Sequence, residues 1–458
     1  MIVMKFGGTA VADAARILAV TEIVRTRIAR RPLVVVSALA GVTDLLVRAV
    51  DAARRGEREE IEPLLADIER RHRWALAGSI GDAGRRHDLA LAFDAQFEDL
   101  RQLLRSMRIL GEGTPRSSDT LLAFGEILSS RLVAAALEDR GIESRWLDPR
   151  EVMITDAAHG AAEPLLEVVR ARLEHGLASL PDAGTVPVTG GFVGANLEGR
   201  TTTLGRGGSD TSAAVFGAAI AAEEIQIWTD VDGLMTADPR LVPAAATLSR
   251  VTFAEAAELA WYGARVLHPA SIAPAVSRSI PVRVLNALSP AGEGTAILTG
   301  EDADALPIAS VASRGGVRTV RFVSRRMRMD PGFLPAVIEA FDHAGLVPDL
   351  LVSSEVGVTV AVSGSTNLDL LREGLAGAAT VEETAGRALV CVVGSGLARD
   401  ASVRGRVLGA LARIEPEIVS MGGSGTSVTA VIPEERLAEA VRALHRRFFE
   451  EASGKERP

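Results

Sequence analysis

The sequence predicts an α/β protein in which an open, mainly parallel sheet flanked by helices precedes two small α+β modules. Three observations carry this. Residues 2–6, 7–9, 11–28 and 33–37 read in turn as buried strand, tight turn, amphipathic helix and buried strand, an order that makes the two strands parallel. Glycine-rich turns recur at the ends of later apolar strands, where they enter helices. Beyond a linker, Val337-Ile338-x-Ala340-Phe341 returns 70 residues later as Val407-Leu408-x-Ala410-Leu411, and Val358-Thr359-Val360 returns at the same offset as Val428-Thr429-Ala430.

Pro32 opens the second strand, which runs into a small-residue loop. Residues 51–110 carry Arg, Glu, Leu and Ala at helical spacing and predict a helical subdomain. Residues 129–139 predict another helix, and 186–190 a strand entering a turn. The glycine-rich loop 205–208 leads into an Ala-rich helix over 210–222 and a strand over 225–229. Pro290, Gly292, Gly294, Gly300 and Pro307 mark a linker. Each copy of the echo then reads as helix, strand, Gly/Ser turn, strand, helix. The expected domains are 1–300, then 307–385 as a first module that lends a strand to the second, and 386–450 as that second module.

The 458 residues suggest about three domains at roughly 150 residues each. With 47% hydrophobic and 24% charged residues the chain is globular, not disordered. A net charge of −9 lacks the basic footprint of a nucleic-acid binder. One cysteine, Cys391, excludes an intrachain disulfide framework and a thiol-metal cluster. No secretory leader pattern opens the sequence, and the longest apolar stretches, such as 33–42, reach about ten residues and are broken by Ser or Gly, against the roughly 18 that span a bilayer. No membrane partner and a soluble, cytoplasmic setting are therefore expected. Among 50 basic residues only Lys5 and Lys455 are lysines. Lys5 stands in an apolar strand just before Gly7-Gly8, where a compact ammonium does what a planar guanidinium does not.

The P-loop, the complete G-x-G-x-x-G, the protein-kinase catalytic loop, H-E-x-x-H and G-x-S-x-G are all absent. His268 reads as structural. What remains is two glycine turns that open helices, where backbone N–H groups and a helix dipole suit phosphate oxygens. One is Gly7-Gly8 with Lys5 within reach; the other is Gly205-Arg206-Gly207-Gly208-Ser209-Asp210. Ordinary tight turns are the plain alternative. Trp228-Thr229-Asp230-Val231-Asp232-Gly233 ends a strand with two carboxylates, either a capping turn or part of a ligand site at the strands' carboxyl ends.

These motifs together resemble aspartate kinase. The likeness is carried by Lys5-Phe6-Gly7-Gly8-Thr9, Val35-Val36-Ser37-Ala38, Phe124-Gly125-Glu126 and Thr203-Leu204-Gly205-Arg206-Gly207-Gly208-Ser209-Asp210. Phe253-Ala254-Glu255-Ala256-Ala257 and Gly263-Ala264-Arg265-Val266-Leu267-His268-Pro269 continue it, and the C-terminal echo resembles the family's paired ACT modules of ferredoxin-like fold. The resemblance implies an amino-acid-kinase-like catalytic domain and phosphorylation of the side-chain carboxylate of L-aspartate by ATP, with Mg2+ carried on the nucleotide. It also implies that Lys5 and Asp210 are catalytic, Lys5 on the transferring phosphoryl group and Asp210 organising lysine and substrate. Ser37, Glu126, Arg206, Gly207 and Ser209 would bind aspartate, Arg206 at its α-carboxylate and Glu126 at its amino group. Gly7, Gly8, Thr9, Thr229, Asp230, Arg240 and Arg265 would line the nucleotide site, and no separate protein metal site is implied.

Gly332, Phe333, Leu334, Asp349, Ser354 and Glu355 resemble the effector segment of lysine-sensitive members, with Asp349 receiving a lysine ammonium. By the same resemblance ACT pairing gives a homodimer or larger homo-oligomer. The sequence departs from the family at Ala10, Met235 and Arg265, and at Met329-Asp330-Pro331 before Gly332. Another carboxylate or carbamate kinase of this fold, and a catalytically silent amino-acid sensor, are the competing readings.

Overall fold

In the computed structural model, residues 1–458 are described except 183, 264–266, 268, 300–306, 326–330, 424 and 452–458. The chain divides into two compact units, one of Met1–Gly233 with Leu267–Asp302 and the other of Leu234–Val266 with Ala303–Pro458.

In the first unit the strands are β1 (Ile2–Phe6), β2 (Pro32–Val36), β3 (Ser144–Leu147), β4 (Ile154–Thr155), β5 (Val186–Gly190), β6 (Val193–Asn196), β7 (Thr201–Thr203) and β8 (Glu224–Thr229). The strand β9 (Arg250–Thr252) belongs to the second unit, and β10 (Val282–Asn286) and β11 (Thr295–Leu298) return to the first. Within the first unit seven strands bond in the order β3-β5-β2-β1-β8-β10-β11, all parallel until β11 turns back as an antiparallel edge. A small sheet β4-β6-β7 stands beside them. The central strands β1 and β2 are buried along their whole length, which is why they read as continuous apolar runs with no alternation. From β1 the order departs to β2 on one side and β8 on the other, and beyond the carboxyl ends of strands at such a switch point is where a ligand fits.

The helices are α1 (Ala14–Arg25), α2 (Val42–Arg55), α3 (Arg58–Ser79), α4 (Ala83–Leu110), α5 (Pro115–Leu122), α6 (Phe124–Asp139), α7 (Pro149–Val152), α8 (Leu166–Ala178) and α9 (Gly208–Ala219). The helix expected over 11–28 is shorter than its periodicity suggested. Asp13 accepts a hydrogen bond from the Arg16 N–H and fixes the start of α1, while Gly8–Val11 coils separately as a 3-10 turn. The helix expected from 129 begins at Phe124, because α6 is buried on nearly every side and shows no amphipathic period. The stretch Pro115–Asp139 is long and apolar enough by composition to cross a bilayer, contrary to a count of unbroken apolar runs, and 72% of its most apolar window is packed inside the fold. Phe6 stacks on Trp228 at 6.0 Å at the heart of the core.

In the second unit β12 (Ser310–Ser324), β13 (Leu350–Ser353), β14 (Gly357–Ser363), β15 (Ala379–Val393), β16 (Ile418–Met421) and β17 (Ser427–Pro433) form one antiparallel sheet, ordered β13-β14-β12-β15-β17-β16. The echo in the sequence is this symmetry. Both central strands are 15 residues long, and β14 and β17 lie 70 residues apart in number. Residues 310–314 of β12 pair with 389–393 of β15, so each long strand serves both modules. Helices Phe333–His343 and Ala401–Leu411 cover the sheet. The segment Leu234–Val266, inside the stretch expected as one domain of 1–300, packs here. Thr236 Oγ1 meets His445 Nε2 at 3.0 Å, Ser310 Oγ donates to the Met235 carbonyl, and Ala237 and Val242 join the core of Val390, Val407 and Leu444. Within it α10 (Phe253–Trp261) starts at a capping box, Thr252 with Glu255.

Candidate active site

Lys5, near the end of β1, is only 8% exposed, and its Nζ lies 2.5 Å from Asp210 Oδ1 in the first turn of α9. Gly207, with φ of 72°, is the residue before that helix and permits the sharp entry that aims Asp210 back at the sheet. After Lys5 the Gly7 N–H donates to the Trp228 carbonyl, which ties the turn to β8. A Cβ on Gly8 would lie 3.0 Å from the Ala38 carbonyl, so the turn and the loop after β2 form a close-walled cradle. The Ser37 N–H donates to the Phe6 carbonyl, and Ser129 Oγ donates to the Ser37 carbonyl, so that loop is held from both sides.

Glu126 is 4% exposed. Its Oε2 has no hydrogen-bond partner among the described residues. Burial pushes its carboxyl up to about 8, against weaker downward pulls from the Ala38 backbone and the Lys5 charge. Lys5 is already committed to Asp210, so this carboxyl lacks a cation of its own. Across from it Gly191 allows α9 to approach, since a Cβ there would lie 2.8 Å from Ser209 Cα.

A cleft of about 890 Å3 gathers these groups. Lys5, Gly8, Ser37, Glu126, Arg206, Gly207, Ser209 and Asp210, all singled out from sequence, line it together. Arg206 is exposed and makes no ion pair with any described residue. Gly7 sits one residue behind the wall, where a Cβ would lie 3.6 Å from Lys5 Nζ, and Thr9 is exposed on the 3-10 turn. Thr229 ends β8 and Asp230 follows it, the two joined by a 3.1 Å bond from Thr229 Oγ1 to Asp230 Oδ1, outside the cleft lining. Arg240 belongs to the second unit, where it clasps Asp238 through Nε and a terminal nitrogen. Arg265 and His268 lie outside the described residues. The cleft also takes in Thr43, Asp44, Asp119 and Phe192, which sequence reading passed over. For Thr43 and Asp44 a signal existed, because they open α2 directly beyond the carboxyl end of β2.

The expected effector residues are more scattered. Phe333 is buried in the core of its module with Phe322 and Phe341, and Gly332 and Leu334 sit beside it at the start of the helix. Asp349 precedes β13, whereas Ser354 and Glu355 follow it, roughly 16 Å away at 3.3 Å per residue. The Asp349 carboxylate is ion-paired with Arg314, and its carbonyl accepts from Trp261 Nε1. Asp330 lies outside the described residues.

Comparison with known proteins places the chain in a family. The profile of the Amino acid kinase family matches residues 1–286, and that of the ACT domain matches 390–448. Lysine-sensitive aspartokinase 3 of Escherichia coli K12 is 34% identical over 464 residues, 98% of this chain and 99% of that protein. Aspartokinase 1, chloroplastic, of Arabidopsis thaliana is also 34% identical, over 98% of this chain and 80% of its own length. Among solved structures, E. coli aspartokinase III with lysine and aspartate (T-state) gives a TM-score of 0.85 at 33% identity, covering 98% of this chain and 99% of that one. The same enzyme with aspartate and ADP (R-state) gives 0.82 at 33% identity, over 98% and 100%. The chain belongs to the amino acid kinase family and, within it, to the aspartokinases.

Proposed function

We propose that the cleft at the carboxyl ends of β1 and β2 carries out the aspartokinase reaction, ATP-dependent phosphorylation of the β-carboxylate of L-aspartate to 4-phospho-L-aspartate and ADP. The observation that carries the reading is an ion pair between buried Lys5 and half-buried Asp210 beside a buried carboxyl, Glu126, that has no cation of its own. An α-amino acid supplies the missing cation through its ammonium, and Arg206 supplies a fork for its α-carboxylate. The aspartate side chain is ionised at neutral pH, with an ordinary pKa of about 3.9, so no general base is needed. One β-carboxylate oxygen forms its bond to the γ-phosphorus while the bond from that phosphorus to the bridging oxygen of ADP breaks, and the electron pair leaves with ADP.

The barrier is electrostatic. Two like unit charges about 4 Å apart repel by roughly 4 kcal/mol at an effective dielectric near 20. Lys5 and the backbone N–H groups around Gly7, Gly8 and Thr9 offset that repulsion on the transferring group, and Asp210 holds the Lys5 ammonium in place. Ser37, Gly207 and Ser209 shape the aspartate side, and Thr229 and Asp230 serve the nucleotide. Mg2+ carried on the nucleotide would supply further neutralisation of the phosphates.

The ACT modules give the enzyme an amino-acid input, with lysine the favoured effector at Gly332, Phe333, Leu334, Asp349, Ser354 and Glu355, and they assemble the chain as a homodimer or larger homo-oligomer in the cytoplasm. The test is hydroxylamine trapping of acyl phosphate made from ATP and L-aspartate, with and without lysine. Activity suppressed by lysine supports both parts. Activity indifferent to lysine removes the effector assignment, and no acyl phosphate removes the reading.

A further inference from the structure

Asp119, on α5, is 1% exposed and lines the cleft, and its hydrogen bonds go to none of the residues assigned to chemistry above. Its two oxygens receive three hydrogen bonds from two other segments. Thr203 Oγ1, the last residue of β7, donates to Oδ1 at 2.6 Å, while His159 Nδ1 and the Gly160 N–H lie 2.8 Å and 3.1 Å from Oδ2. The loop carrying His159 and Gly160 is closed on itself by Asp156 Oδ1, which accepts from the Ala158 and Glu163 N–H groups. That loop is tied to β7 a second time by the Ala162 N–H to the Thr203 carbonyl at 2.9 Å. It also forms the floor beneath the next turn, because a Cβ on Gly205, whose φ is 73°, would lie 3.0 Å from the Gly160 carbonyl. Three residues beyond Thr203 stands Arg206, exposed and without an ion pair among the described residues, so nothing at its tip fixes its place.

We propose that Asp119 is a positioning residue that sets the height and tilt of the Gly205–Gly208 turn, and through it the Arg206 guanidinium that receives the α-carboxylate of aspartate. The proposal rests on the assignment of Arg206 made above. A buried carboxylate that accepts three bonds makes stronger, shorter contacts than a neutral acceptor, and its loss takes the acceptor from the buried Thr203 hydroxyl and unties the loop of His159 and Gly160. The turn then relaxes, and the guanidinium fork, whose two parallel bonds need planar register, loses it first. Lys5 is held by β1, and Asp210 rides on α9, whose start at Gly207–Gly208 is the far end of the turn from Gly205, so a shift at Gly205–Arg206 moves the guanidinium more than the Lys5–Asp210 pair.

The test is steady-state kinetics on full-length Thr203→Val, Thr203→Ser and Asp119→Asn, varying aspartate and ATP independently, with a melting curve for each. Thr203→Val keeps the shape and removes only the hydroxyl. The expected result is a rise of ~10-fold in KM for aspartate with kcat and KM for ATP within ~3-fold of wild type. Thr203→Ser restores most of the lost affinity, and in an Arg206→Ala background Thr203→Val adds less than ~2-fold, the non-additivity of residues acting as one unit. Asp119→Asn shifts the same constant further; if it does not fold, the Val/Ser pair decides. Equal rises in both KM values, a fall in kcat alone, or full additivity with Arg206→Ala overturns the proposal. An Arg206→Ala enzyme with unchanged KM for aspartate overturns the Arg206 assignment itself, whereas a raised KM there beside an unchanged Thr203→Val overturns only the role of Asp119.

Discussion

Two buried or half-buried carboxyl groups in this chain face opposite situations. Glu126 in the first unit has an oxygen with no partner, because the adjacent ammonium of Lys5 is bound to Asp210. Asp349 in the second unit already holds the Arg314 guanidinium. A buried carboxyl without a cation keeps its proton until a cationic ligand arrives, and is thus built to receive one. A carboxyl that is already paired binds a cationic ligand only by exchange, so its ligand competes with part of the protein. On the assignments proposed above, the two amino-acid sites differ in what the empty site lacks.

The largest effect expected is at the lysine itself. Lys5→Met removes the charge on the transferring phosphoryl group and strands Asp210, and kcat falls by ~1000-fold or more as read by ADP release. Lys5→Arg does not restore it, because a planar fork replaces a point charge in a closed space. Glu126→Gln comes next, raising KM for aspartate by ~10- to 100-fold through loss of the charge-assisted contact to the ammonium. The pH dependence separates it from a merely structural loss. With the empty-site carboxyl near 8, most of it is protonated at pH 7, and binding as carboxylate becomes easier as pH rises. KM for aspartate in the wild type should fall with rising pH and level off above about 8, while Glu126→Gln stays flat over that window.

Arg314→Ala sharpens the other half of the comparison. It leaves Asp349 unpaired and costs about 1–3 kcal/mol in melting experiments, less than a fully buried pair because both partners keep some exposure. If Asp349 receives the effector ammonium, lysine raises the melting temperature of this variant more than that of the wild type. The smallest effect lies away from both sites. His72, packed against Phe93 and Phe97, is pushed down to about 4 by burial. Its folded pKa is below the unfolded value of about 6.5, so its contribution is complete above that value and is lost as pH falls toward 4. His72→Leu flattens that part of the stability profile in denaturant titrations.

Much of the first unit was readable because its strands are buried on both faces and its turns are glycine-marked. β1 and β2 follow the apolar runs, and eight of the residues singled out by motif meet in one cleft. Helix ends were less readable, since the Asp13 cap and the all-round burial of α6 override periodicity. Contacts between distant segments left no mark in the sequence. Asp119 meets Thr203 across 84 positions, and Arg314 on β12 meets Asp349 just before β13, two strands that β14 separates in the sheet, a pairing that no local pattern announces. A motif names residues; only packing says which of their charges are already spent.

The most direct measurement is calorimetry of aspartate binding at pH 7 in two buffers of different ionisation enthalpy, for wild type and Glu126→Gln. The expected result is release of close to one proton per site from the wild type, as the Glu126 carboxyl gives up its proton to take the substrate ammonium, and none from Glu126→Gln. Tight binding to the wild type with no proton released would mean that Glu126 is already ionised in the empty cleft, and would contradict the account of a site built around a missing cation.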